Sequence, residues 1–307
     1  MKLCHKLLNP WFSGLFVVLL SLFSIDAAHA QIFVANVING TIGEYNLDGT
    51  LINASLISGL SNPYGLAISG SNLFVTNVGI GTVGEYNLDG TPVNTSLISG
   101  LSGPMSLAVS GGNLLIGNQS NNTISEYTTS GIPVGSGTLI SSGLVNPTGL
   151  AISGGNLFVV NSGNETIGEY NLDGTPVNAS LVSGLNNPKG IAISGSNLFI
   201  ADAGANTVNE YTTAGAPVGT GILLSLAGGS FPYSIAVSGG NLFVTNAGSG
   251  TIGEYTSSGT PVNTSLVSGL SNPAGIVVIA TPEPSTTVLM VLGLSLLAYG
   301  HFRMRRV

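Results

Sequence analysis

The sequence predicts an all-β fold, a six-bladed β-propeller with 3+1 strand closure, and three observations predict it. A Glu-Tyr pair recurs at Glu44, Glu85, Glu126, Glu169, Glu210 and Glu254, with intervals of 41, 41, 43, 41 and 44 residues. Each interval carries short apolar runs separated by Gly, Asn, Asp and Pro. That is the grammar of hairpins, not of helices. The first repeat lacks its first run, and a matching run follows the last repeat.

One full unit extends from Pro63 to Leu101. Gly65–Ser69 reads as its first strand, turned by Gly70-Ser71, and Asn72–Thr76 as the second. Thr82–Tyr86 is a third strand, ended by the Asp89-Gly90 turn, and Thr95–Ser99 a fourth. Four strands in about 42 residues match a propeller blade. Residues 32–58 supply only the last three strands of a unit, and Gly275–Ile279 supplies the missing one. Three strands, five full units and one closing strand make 24. Such closure hides both sheet edges, whereas an open solenoid would show special capping units.

The unit Pro63-Tyr64-Gly65-Leu66-Ala67-Ile68, followed by Asn72–Asn77 and Val83–Tyr86, resembles the NHL and YVTN repeat families over nearly all of residues 31–280. The second strand of those families frequently closes on Asp. Here it closes on Asp only at Asp202, with Asn36, Asn77, Asn118, Asn161 and Asn246 elsewhere. Asn is a neutral and poorer ligand for a hard cation, which weakens any carry-over of metal binding.

The ends carry addresses. Lys2 and Lys6, an apolar run from Trp11 to Ile25 and Ala28-His29-Ala30 follow the order of a secretory signal peptide over residues 1–30. Residues 281–307 read Pro282-Glu283-Pro284, an apolar stretch from Val288 to Tyr299, then Arg303, Arg305 and Arg306. Physically this is a short transmembrane helix whose Arg cluster stays cytoplasmic. The order closely resembles the PEP-CTERM sorting signal of Gram-negative bacteria. The resemblance implies an exosortase as partner, an inner-membrane intermediate, and delivery to the cell surface or extracellular exopolysaccharide matrix.

Between these ends the composition excludes whole classes of function. Residues 31–281 hold eleven carboxylates, one cation (Lys189), and no Cys, His, Arg or Trp. A net charge of −10 excludes nucleic acid as a partner, since phosphate neutralisation needs a basic stripe. Without His or Cys the usual nucleophile–base pairs and zinc sites are unavailable. No cofactor or metal site is expected, and no catalytic residue is assigned.

Three residue sets stand out. The repeated Glu and Tyr of the third strand read as structural, with the Tyr rings packed between blades and their hydroxyls at the rim. Asn77, Asn118, Asn161, Asp202 and Asn246 read as turn-closing residues or as a polar ring contacting a ligand. The residue after each loop proline is Tyr64, Met105, Thr148, Lys189, Tyr233 or Ala274, while its neighbours barely change between repeats. Drift at an exposed loop tip explains that variation, and so does ligand binding beside the channel, with Tyr64, Lys189 and Tyr233 as candidates. The leading reading is a non-enzymatic surface or matrix propeller that binds protein or carbohydrate. The alternative is a hydrolase or lyase of the lactonase-like propeller type, using a hard metal near Asp202, Glu165 and Asn161.

Overall fold

A computed structural model describes residues 30–279, where every regular element is a β-strand. Blade one holds β1 (Gln31–Asn36), β2 (Thr41–Asn46) and β3 (Leu51–Ile57). Blade two is β4 (Pro63–Ser69), β5 (Asn72–Asn77), β6 (Thr82–Asn87) and β7 (Pro92–Ile98). Blade three is β8 (Pro104–Ser110), β9 (Asn113–Asn118), β10 (Thr123–Thr128) and β11 (Pro133–Ile140). Blade four is β12 (Pro147–Ser153), β13 (Asn156–Asn161), β14 (Thr166–Asn171) and β15 (Pro176–Val182). Blade five is β16 (Pro188–Ser194), β17 (Asn197–Asp202), β18 (Thr207–Thr212) and β19 (Pro217–Ser225). Blade six is β20 (Pro232–Ser238), β21 (Asn241–Asn246), β22 (Thr251–Thr256) and β23 (Pro261–Val267). The last strand, β24 (Pro273–Ile279), pairs with β1 and completes blade one, in register Phe33↔Val277 and Gln31↔Ile279.

The first strands β4, β8, β12, β16, β20 and β24 each touch the next around a closed ring, so they line the axis. All begin at a loop proline on one face and run to the opposite face. Because Gln31 pairs with Ile279, the chain enters and leaves the propeller on the face away from the prolines. The expected signal peptide and sorting helix lie outside the described residues.

Second strands such as Leu73-Phe74-Val75-Thr76 are buried along their length, because both faces of a blade are covered. Six apolar clusters fill the six blade interfaces. Leu66, Leu73, Val75 and Tyr86 meet Phe33, Ala35, Ile42 and Ile57 of blade one, while Phe74 turns the other way to Leu107, Leu114 and Ile116 of blade three. Burying one such Phe stabilises by roughly 1.5–3 kcal/mol. The outer strands are exposed and polar, as in Val93-Asn94-Thr95-Ser96.

The repeated Glu serves within its own blade. In all six blades its Oε1 accepts a hydrogen bond from the side-chain amide that opens the second strand, for example 2.7 Å from Gln31 to Glu44 and 2.6 Å from Asn156 to Glu169.

The Tyr hydroxyls depart from the expected rim position. In four blades the ring folds back over the glycine two residues earlier: a Cβ at Gly84 would lie 2.8 Å from Tyr86 Cε2, and one at Gly168 would lie 2.7 Å from Tyr170 Cε2. The Tyr170 hydroxyl is buried against Asn161, where neither it nor Asn161 Nδ2 makes a well-formed hydrogen bond. Blades three and five carry Ser125 and Asn209 in place of that glycine. Ser125 Oγ then accepts from Asn118 Nδ2 at 2.8 Å, and Asn209 Nδ2 donates to Asp202 Oδ2 at 3.2 Å. Displaced, Tyr127 and Tyr211 swing toward Gly137 and Gly221 of the longer outer strands β11 and β19. Gly84→Ser is therefore expected to cost about 1–3 kcal/mol by overpacking. The loss should shrink in a Tyr86→Ala background, a coupling that a thermal-melt double-mutant cycle reads directly.

Candidate functional site

The axial cavity opens among the first halves of the ring strands, has a volume of about 190 Å³, and is lined mainly by polar groups. The residues following the loop prolines lie here: Tyr64, Met105, Thr148, Lys189 and Tyr233 all line it. They are not exposed loop tips. Each is the second residue of a strand, half-buried or buried. The sixth, Ala274, is fully buried. β24 sits between β20 and β4 in the ring, and the Tyr64 and Tyr233 rings of those strands stand 5.5 Å apart, inclined at 47°. A small residue at Ala274 leaves room for that aromatic pair.

Burial raises both tyrosine pKa values, Tyr233 well above the ordinary range with Tyr64 adding to the shift, so both hydroxyls stay protonated donors. Burial also lowers the Lys189 pKa. Lys189 Nζ donates to Ser162 Oγ at 3.1 Å, and Ser162 Oγ donates to Asn187 Oδ1 at 3.0 Å. Ser162 carries no signal in the repeat pattern that marks it as this partner.

The strand-closing Asn and Asp residues are placed elsewhere and do not line the axial cavity. Each lies buried beneath the loop that precedes a ring strand. Asn77 Oδ1 accepts from the Ser61 backbone N–H at 3.4 Å, Asn161 Oδ1 from Val145 at 3.2 Å, and Asn36 Oδ1 from Ser271 at 3.4 Å. Asp202 does the same with both oxygens, 3.0 and 3.1 Å from the Asn186 nitrogen. Asn118 and Asn246 use Nδ2 instead, toward Thr123 and Thr251. Their Oδ1 atoms, like Asn161 Nδ2, are buried without a partner. Asn77 and Asn246 also border two grooves between neighbouring blades.

Asp202 is the charged exception in this series. Burial pushes its carboxyl above the usual range, against the lowering effect of its hydrogen bonds, and the charge of Glu165 adds to the rise. Among the described residues no three of His, Cys, Asp and Glu gather to hold a metal ion. A carboxyl whose folded pKa is raised contributes stability below its unfolded pKa, and that contribution is lost as pH rises through the folded value. Asp202→Asn, matching the other five blades, is therefore expected to raise the melting midpoint at pH 7. It should also remove part of the difference between pH 7 and about pH 4. Differential scanning calorimetry at the two pH values checks both.

Comparison with known proteins adds two facts. Residues 280–306 match the PEP-CTERM protein-sorting motif. The C-terminus is a PEP-CTERM sorting signal. That motif implies processing by an exosortase and passage through the membrane. Among solved structures, a chain of the nidogen/laminin complex is 20% identical with a TM-score of 0.70, covering 82% of this chain and 99% of that one. Virginiamycin B lyase from Staphylococcus aureus is 18% identical with a TM-score of 0.61, covering 80% of this chain and 84% of its own. At these identities the likeness is one of fold, shared by a component of a protein complex and by a lyase. No curated protein matches the chain in sequence.

Proposed function

We propose that this PEP-CTERM protein is a non-enzymatic binding propeller of the Gram-negative cell surface or exopolysaccharide matrix, taking its ligand at the axial mouth on the proline-loop face. One observation carries the reading. Nearly identical repeats place their most divergent side chains at one register position, and five of those six line one cavity. A position of purely structural duty would repeat as the Glu–amide bond repeats. The chain leaves the propeller at Ile279, on the face opposite the loop prolines.

The test is retention on the host's own extracellular material. Protein recovered from the surface fraction should bind the polysaccharide or protein of that layer, and substitution of Tyr64 and Tyr233 together by Ala should abolish binding. Failure to bind any of that material refutes the proposal. The alternative, a metal-dependent hydrolase or lyase, draws on the raised Asp202 carboxyl near Glu165. Stoichiometric Ca²⁺ or Mg²⁺ lost on Asp202→Ala would establish that reading instead.

A further inference from the structure

We infer that the axial mouth recognises an acidic sugar, a uronic acid whose carboxylate meets Lys189 and whose ring lies against the aromatic side chains. The inference rests on the binding function proposed above and names its ligand class. Lys189 is the only cation in residues 31–281, and it lies half-buried at the mouth of the axial cavity. Its ammonium has three donors, of which Ser162 Oγ takes one. The nearest carboxylate by register is that of Asp202, opposite Pro188. That carboxylate is turned to the Asn186 backbone and the Asn209 amide, and it makes no ion pair with Lys189. A desolvated, unpaired ammonium beside a cavity is costly unless a ligand supplies the counter-charge.

Glu165, exposed on the loop after β13, is near enough to raise Asp202, yet no ion pair joins it to Lys189, and the remaining carboxylates are held elsewhere. Asp48, Asp89 and Asp173 sit in the outer hairpins, where hydrogen bonds from Thr50, Thr91 and Thr175 hold their carboxyls below the usual range. The six repeated glutamates are bonded within the blades. Screening over about 8–10 Å separates such groups from a ligand on the axis.

The aromatic half of the site has its own signature. The residue before each loop proline has positive φ and is Asn or Gly in five cases; the sixth is Phe231, at φ 48°. A bulky side chain there is strained by about 1–3 kcal/mol. Even so, Phe231 is 51% exposed, two residues from Tyr233. Gly248 makes space for it, since a Cβ there would lie 2.4 Å from Phe231 Cδ2. The Tyr64–Tyr233 pair in the cavity and this strained, solvent-facing ring two residues from Tyr233 supply apolar faces for a sugar ring. The protonated tyrosine hydroxyls and the Lys189 ammonium supply donors, which suit a carboxylate and a set of hydroxyls. A volume of about 190 Å³ admits a terminal or branching residue of a polysaccharide and not a length of chain.

The experiment is calorimetric titration of surface-recovered protein with galacturonate and glucuronate oligosaccharides, beside their neutral galactose and glucose counterparts and a peptide with a free C-terminal carboxylate. A uronate should bind with an affinity that falls as salt rises, and the neutral counterpart at least about tenfold more weakly, the scale of one lost charge-assisted hydrogen bond. Lys189→Met should erase that preference, and Lys189→Arg should keep most of it. Phe231→Asn should weaken both sugars while raising the melting midpoint, which shows that the variant is folded. Equal binding of acidic and neutral sugars, or an unchanged preference in Lys189→Met, overturns the inference. So does binding of the carboxylate peptide in place of the sugars. Retention on native matrix without uronate preference sinks only this ligand assignment; loss of all retention sinks the binding function beneath it.

Discussion

Truncation of the chain before Gly275 is expected to abolish the closed monomer. β24 supplies the axial strand of blade one, and Ile276 lies in the cluster that joins blade one to blade six. Its removal strips the ladder from β1 and opens the ring contacts to both β4 and β20. Ile276 is buried and worth about 1.5–3 kcal/mol, Val277, Val278 and Ile279 are partly buried and add less each, and the sum is a large share of the roughly 5–15 kcal/mol net stability of a typical domain. The bared edge of β1 then pairs with whatever strand it meets. Size-exclusion chromatography should show oligomers or an unfolded chain, and a synthetic Pro273–Ile279 peptide should restore part of the monomer. A monomeric truncation with an unchanged melting temperature would refute closure by this strand.

Protein isolated from the surface of the native host is expected to end near residue 284 and to lack Arg303, Arg305 and Arg306. Pro282 and Pro284 have no backbone donor, and the residue before a proline is held extended. The segment therefore suits a processing enzyme that reads extended chain. Val288–Tyr299 is short of the roughly 20 residues of a lasting membrane span, in keeping with a transient anchor. Replacing Pro282-Glu283-Pro284 by Ala should hold the protein in the inner membrane at full length after signal-peptide removal, with essentially none released. Intact-mass measurement decides it, since a surface form still ending at Val307 would make the segment an ordinary anchor.

The architecture was legible because a circular strand complement leaves a visible phase error in a linear repeat: the first unit begins one strand late, and Gly275–Ile279 repairs it. The divergent position after each loop proline was equally legible as a candidate site, though its placement was not. A proline donates no hydrogen bond but can open a strand, so Pro63 begins β4 and carries Tyr64 into the cavity instead of out on a loop. The duties of Asn77, Asn161 and Asp202 were ambiguous for a different reason. Asx side chains bond the backbone of whichever loop folds over them, and here that loop starts sixteen residues upstream. The two tyrosine arrangements depend on paired changes, Ser125 with Gly137 and Asn209 with Gly221, that sit on different strands and acquire meaning only once those strands are neighbours.

The pairing of Gln31 with Ile279 also sets a timetable. The first strand of the domain to be synthesised waits for the last, and only Ala280 and Thr281 separate that last strand from Pro282. The ring cannot close until β24 is free to lie beside β1, so blade one stays incomplete until the whole length of the domain is present. A chain halted before β24 presents the open edge of β1 in place of a finished blade.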